Sequence, residues 1–471
     1  MSFLKTVLVV FEALFALNLL IFVHELGHFL AARWRGMKVE RFAIWFGKPI
    51  WSKKIGGVEY ALGWIPAGGY VSLPQMATME AIEGKTENSA AQLPSARPLD
   101  KIIVAIAGPL FSFLLAVVFA VIVWQVGRPV PQGGDKPILG WVVPEGPAWN
   151  AGLRPGDTIV SIDGHAIKTY GPPSQDSVLW RIITSEGTNI VIKYSRDGQE
   201  KTVEITPLMR KTKWYERRAM RQILVDYPFQ AVVGGVLTNS PAELAGLKSG
   251  DEIVEVNGEK VFSISAVRHV QEQMTNSDAK PATFKIKRGA EELELSILAA
   301  KPTTPTNAPP MFGIAWQDLT NRTLIYPSPA EQIESACGQI FGTIAAVFST
   351  KTEIGPQHLG GPVMIIRVYK TLFEDEEGWR LVLWFSVVLN VNLALLNMLP
   401  LPVLDGGHIL LSLIEAVRRR AASAKILNYI QTGFAVLLIS FMVWIVFFDT
   451  GDWIRSAWQN RSQEIIFAPK K

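Results

Sequence analysis

The sequence has one cysteine, Cys337, in 471 residues. That excludes a disulfide framework within the chain and any metal site built on several thiolates. Cys337 lies in an amphipathic apolar stretch, where a free thiol packs as a small hydrophobe. Charge is scarce as well: Asp, Glu, Lys and Arg make up 19% of the residues, against about 25% in soluble proteins. The net charge of +4 supplies no concentrated basic surface, so no nucleic-acid partner is expected. Histidine is rare, six in all, yet two of the six stand four residues apart. What the chain has in excess is apolar side chains, 49% of residues, with a mean hydropathy of +0.21. That excess belongs in lipid rather than in a soluble core.

A helix crossing a bilayer needs about 20 mostly apolar residues. Four stretches qualify: Leu4–Ala32, Ile102–Val126, Leu381–Leu401 and Ile430–Phe448. The apolar run Gly338–Phe348 is too short to cross. The first stretch is long and has no small-residue cleavage site ahead of its histidines, so it reads as a retained anchor. Seven Lys and Arg residues lie between Arg33 and Lys54, and Arg418, Arg419, Arg420 and Lys425 follow the third span. Basic loops stay in the cytoplasm. Both termini and the long stretch between spans two and three are then expected outside.

That long stretch contains a repeat. "GPAWNAGLRPGDTIVSIDG" returns as "NSPAELAGLKSGDEIVEVNG", with Pro147 matching Pro241, Gly152 matching Gly246, Asp157 matching Asp251 and Gly164 matching Gly258. Two copies of one module of about 90 residues are implied. Each copy predicts a short helix ending at glycine, then an alternating strand ending in an Asp-Gly or Asn-Gly turn. After a Pro/Thr-rich linker, Lys301–Pro310, Ser328, Pro329 and Glu331 form a capping box that opens an amphipathic helix. That helix is expected to lie on the membrane surface or to pack against the modules.

The chemistry starts at "FVHELGHFL", Phe22–Leu30. Polar groups inside a span are costly and mark function. On a helix His24 and His28 share a face and can offer two imidazole nitrogens to one zinc ion, with Glu25 beside them as general base. A third ligand is needed. "NMLPLPVLDGGH", Asn397–His408, supplies Asp405 at a point where Pro400 and Pro402 break the helix. Irregular backbone at membrane depth is tolerated where it lines a cavity or is buried in protein, so this segment is expected to face the first span.

These motifs resemble the site-2 protease family of intramembrane zinc metalloproteases. The repeat, with its A-G-L-x-x-G-D core, resembles bacterial PDZ domains. Four spans with two such modules between the second and third resemble the regulator-of-sigma-E protease branch. The resemblance implies a multi-pass α-helical membrane protein with four transmembrane helices and two tandem extracytoplasmic PDZ domains of α+β type. It implies one Zn²⁺ per chain on His24, His28 and Asp405, with Glu25 catalytic. It implies substrate contacts at Asn392 and Asn397, and at Gly68, Gly69 and Tyr70 within a membrane-reentrant hairpin, "YALGWIPAGGYVSL". "GGPVMI", Gly360–Ile365, and "GPLFSF", Gly108–Phe113, match two further motifs, the second departing from its usual Asn at Ser112.

The organisation expected is a first span at 1–36, a cytoplasmic loop at 37–101 with its hairpin near 58–73, and a second span at 102–127. PDZ modules follow at 128–222 and 223–302, then linker and surface helices at 303–378 and a third span at 379–408. A cytoplasmic loop at 409–428, a fourth span at 429–449 and an outside tail at 450–471 complete it. The implied setting is a bacterial inner membrane, with the active site toward the cytoplasm and the PDZ modules in the periplasm. The implied substrates are pre-trimmed single-span proteins: an anti-sigma factor and remnant signal peptides. The modules either capture peptide C-termini or exclude bulky substrates. A non-catalytic PDZ scaffold with a structural metal is the alternative.

Overall fold

The computed structural model describes residues 3–76, 96–131, 136–171, 175–274, 280–317, 322–375, 377–419, 424–459 and 465–468. They form two compact units: residues 1–128, 326–340 and 360–450, and residues 129–325, 341–359 and 451–471.

The first unit is helical. Its elements are α1 (Phe3–Trp34), α2 (Pro98–Val126), α3 (Pro362–Glu374), α4 (Gly378–Asn397), α5 (Asp405–Arg418) and α6 (Ala424–Gln459). Among the described residues, four stretches are long and apolar enough to cross a membrane: Val7–Trp34, Pro98–Val126, Gly378–Asn397 and Ile426–Ser456. The most apolar window of α2 is 39% buried and that of α6 only 17%, so α2 is the central helix and α6 the peripheral one. The outward faces of α1, α2 and α6 carry exposed Phe15, Val118, Val436 and Val443, a surface that hydrocarbon accepts and water does not. The third-span region 379–408 forms two helices. α4 ends at Asn397, and the Pro400–Pro402 segment turns the chain so that Asp405 starts α5. The "GGP" motif also gains a reason. Asp449 on α6 accepts hydrogen bonds from the Gly361 and Met364 amides at 3.1 Å each, capping α3 where proline at N1 leaves the first amides without helical partners.

Between α1 and α2 lies a small sheet, and here the expected hairpin is corrected. Residues 58–73 do not fold back on one another. They form β2 (Val58–Ser72), paired with β1 (Arg41–Ile55). The first part of β1 is sandwiched: Phe42 pairs with Val71 on one side and with Tyr60 on the other. β1 bends at Trp45 (φ 68°) and Gly47 (φ 89°). Trp45 is a bulky residue in a left-handed conformation, which needs compensation. Its indole N–H donates to Asn18 Oδ1 on α1 at 2.5 Å, which ties the sheet to that helix. Phe42 packs edge-on against Phe22 and Phe29 of α1. The run Gly69–Ser72 is left as an edge, since no other strand among the described residues pairs with it.

In the second unit the repeat becomes two four-stranded antiparallel sheets. In the first, strands His165–Ala166, Thr158–Ile162, Ile190–Arg196 and Gln199–Ile205 lie side by side in that order. In the second, Glu259–Lys260, Glu252–Val256, Ala282–Arg288 and Glu291–Ile297 repeat the order. Turn residues Asp163 and Gly164, and Asn257 and Gly258, all have positive φ, as a type I′ turn requires. The Gly-Asp pair of each repeat has a structural purpose. Asp157 is buried and accepts a bidentate bond from Arg196 at 2.6 and 2.7 Å plus one from the Arg154 amide. Asp251 does the same with Arg288 at 2.7 Å each and with the Lys248 amide. Each arginine also donates to the carbonyl of the helix-ending glycine, Gly152 or Gly246.

Burial acts to raise the Asp251 pKa, but the Arg288 fork and the Lys248 amide outweigh it and hold the carboxyl below its ordinary value. A depressed folded-state pKa contributes stability that is complete above the unfolded value, about 3.9, and is lost as pH falls through the folded value. Asp251→Asn is therefore expected to speed hydrogen exchange across Glu252–Val256 at pH 7. The gap between variant and wild type should narrow as pH falls below about 4.

The helix Pro329–Phe348 has the expected capping box: the Ser328 amide donates to Glu331 Oε2 at 2.7 Å, and the Glu331 amide to Ser328 Oγ at 3.3 Å. Its first half corrects the surface assignment. Ala336 is buried with Ala116, Ala120, Val387 and Val391, and Cys337 packs against that cluster. Gln332 donates to the Ala120 carbonyl at 2.9 Å. The small side chains of Ala336 and Cys337 thus fit against α2 and α4 inside the first unit.

Candidate metal centre and active site

His24 and His28 stand one turn apart on α1, and their Nε2 atoms converge to 3.2 Å. Asp405, at the start of α5, brings Oδ2 to 3.2 Å from His24 Nε2 and Oδ1 to 3.3 Å from His28 Nε2. Donors on a tetrahedral zinc, bound at about 2.0–2.2 Å, stand roughly 3.3–3.5 Å from one another. The observed spacings match that shell. Two more observations favour a cation. His28 Nδ1–H donates to the Val104 carbonyl at 2.8 Å, so in the neutral ring Nε2 carries a lone pair and no proton. Asp405 Oδ2 is buried without an aligned hydrogen bond; its contact with His24 is one of distance only. Lone pairs and a carboxylate pointed at one spot repel one another, and a divalent ion removes that repulsion. The residues present fit zinc.

The second ring around these ligands was not legible in the sequence. Ser112 on α2, fully buried, places Oγ 3.0 Å from His24 Nδ1. Its hydroxyl takes the orienting position that carbonyl Val104 takes for His28. Ser112→Ala should lower zinc affinity by about 10–100-fold, read by equilibrium competition against a chelating dye, with the helical circular dichroism unchanged.

A cavity of about 290 Å³ opens beside His24, His28 and Asp405. Glu25, Asn397, His408, Gly68, Gly69 and Tyr70 are among its lining residues. Gly69 is wedged in: a methyl there would stand 3.0 Å from Glu25 Cγ and 3.1 Å from the Ala43 carbonyl oxygen. The strand edge thus runs directly past the glutamate. Tyr70 stacks on Phe46 and receives a bond from Arg41 at 3.2 Å. The Asn397 amide nitrogen lies 3.3 Å from His24 Nε2. Asn392 is not in the cavity wall; its Oδ1 is buried elsewhere on α4 with no partner.

A family model for peptidase family M50 matches residues 12–441. The chain belongs to peptidase family M50. It is similar to the protease RseP of Yersinia pestis, 28% identical over 460 residues that cover 92% of this chain and 96% of the relative. The regulator of sigma-E protease RseP of Salmonella typhimurium is 28% identical over 456 residues, with the same coverage. So is the regulator of sigma E protease of Haemophilus influenzae, over 461 residues. This M50 peptidase is therefore a zinc metalloprotease with four membrane-length helices, and the scaffold alternative is not favoured.

Proposed function

We propose that this chain hydrolyses a peptide bond within the membrane segment of single-span proteins, in a bacterial inner membrane, with its catalytic cavity toward the cytoplasm. One observation carries the reading: Glu25, the convergent His24, His28 and Asp405, and an unpaired strand edge share one cavity. His24, His28 and Asp405 would hold the zinc ion. When bound, zinc supplies Lewis acidity toward the scissile carbonyl and toward water near neutral pH. Glu25 takes the proton from the attacking water and delivers it to the departing amine nitrogen. A helical substrate hides its carbonyls in its own hydrogen bonds, so it must unwind before attack. The edge Gly69–Ser72 offers the exposed backbone a strand to pair with, and glycine at 69 lets the peptide lie close to Glu25. The Asn397 amide donates to a carbonyl of the extended peptide; Asn392, away from the cavity, would act on substrate entry along α4.

The relatives named for sigma-E regulation point to an anti-sigma factor, already trimmed on its extracytoplasmic side, and to remnant signal peptides as substrates. The two repeat modules, read as PDZ domains, restrict access to trimmed substrates. The test uses the full chain in detergent with trimmed and untrimmed forms of one single-span anti-sigma protein, mapping the cut by mass spectrometry. A zinc-dependent cut inside the hydrophobic segment of the trimmed form alone is expected. A cut outside that segment, or preference for the untrimmed form, overturns the proposal.

A further inference from the structure

Arg128, two residues beyond α2, is 9% exposed. Among the described residues no carboxylate pairs with it, and its Nε–H is buried without an acceptor. Its one contact of note is the ring of Trp384 on α4, 4.7 Å away. Burial alone pulls its pKa down, to about 10. A buried cation without an anion is costly, and nothing in the proteolytic mechanism uses this one.

Its depth is informative. From Val104, which holds His28, to its end at Val126, α2 rises about 33 Å, and Arg128 follows two residues on. That rise exceeds the hydrocarbon thickness of about 30 Å. Arg128 therefore lies at the membrane face opposite the metal centre, at headgroup level. Half-exposed Trp124 and Trp379 lie at the same helix ends, where interfacial tryptophans belong. Arg380, one turn before Trp384 on the same face of α4, stacks on Trp379 and pairs with Glu377 at 3.2 Å, yet its Nη1 is also buried without an acceptor.

We infer that Arg128 forms the headgroup site for one phospholipid, with the phosphodiester on its guanidinium. A phosphate oxygen supplies the acceptor and the counter-charge that the protein lacks here, and basic sites between membrane helices bind headgroups in this way.

The test is native mass spectrometry of the delipidated full chain in detergent, titrated with dioleoylphosphatidylglycerol or with dioleoylglycerol, which has the same tails and no phosphate. One phosphatidylglycerol per chain is expected to bind, with dioleoylglycerol much weaker. Arg128→Gln should weaken phosphatidylglycerol binding by about tenfold or more and leave dioleoylglycerol unchanged. Arg128→Lys keeps the charge without the fork and should fall between the two; it also decides the matter if the glutamine variant does not fold. Equal phosphatidylglycerol binding by wild type and both variants overturns the inference. So does displacement by an apolar peptide with a free C-terminal carboxylate but not by its amide, which would make the site a peptide receptor.

Discussion

Glu25→Gln should retain its zinc and lose cleavage by about 10²–10⁴-fold. Glutamine has nearly the volume of glutamate, so the contact with Gly69 and the wall of the cavity persist. The group that could hold the metal is His24, His28 and Asp405, and Glu25 is not part of it. What the amide cannot do is accept a proton from the attacking water. The measurement pairs metal content with single-turnover cleavage of the trimmed substrate. Zinc retained with cleavage lost identifies Glu25 as the base. Zinc lost together with cleavage would make Glu25 part of the metal shell, and cleavage retained would remove it from the chemistry.

The parts of this site that could be read in the sequence are those carried by short spacings. His24 and His28 share a face because a helix turns every 3.6 residues, and Asp405 follows a proline-broken segment that has few places to go in a membrane. The repeat could be read because its turns need glycine at fixed positions, although the pairing shows that the 94-residue offset holds only through the Asn-Gly turn. Beyond it Arg196 answers to Arg288, 92 residues on, so the second module is two residues shorter. What could not be read depends on contacts distant in sequence. Ser112 meets His24 across 88 residues, and any small polar residue on that face of α2 would look the same. The strand Arg41–Ile55 was masked by Gly47, Pro49 and a run of lysines that together imitate a loop. The first half of the helix Pro329–Phe348 has a strong amphipathic pattern, but the pattern does not distinguish lipid from a neighbouring helix as the cover for its apolar face.

Gly108→Ala should abolish cleavage by at least about 100-fold and strip the zinc, while leaving the helices intact. Alanine is a better helix former than glycine by about 1 kcal/mol, and Gly108 lies within α2 with ordinary helical φ. On local grounds the substitution would be stabilising. The obstacle is a side chain on another helix. A methyl at Gly108 would stand 2.8 Å from His28 Cδ2 and closer still to Nε2, the atom aimed at the metal. The imidazole is the movable partner, so it swings aside and takes Nε2 out of the ligand set, and the hydrogen bond to Val104 goes with it. Gly27→Ala provides the contrast. Its methyl would stand 2.8 Å from the Ala107 carbonyl carbon and nearer its oxygen, and backbone cannot swing aside. There α1 and α2 must separate, so the expected result is loss of folded protein rather than loss of metal from folded protein. Metal analysis, cleavage and circular dichroism on the two variants separate the cases. If Gly108→Ala keeps both zinc and activity, His28 tolerates displacement and its position as a ligand is wrong. If it unfolds as Gly27→Ala does, the glycine serves helix packing alone. The expected split, a folded protein without metal against an unfolded one, follows from whether the methyl meets a side chain or a main chain.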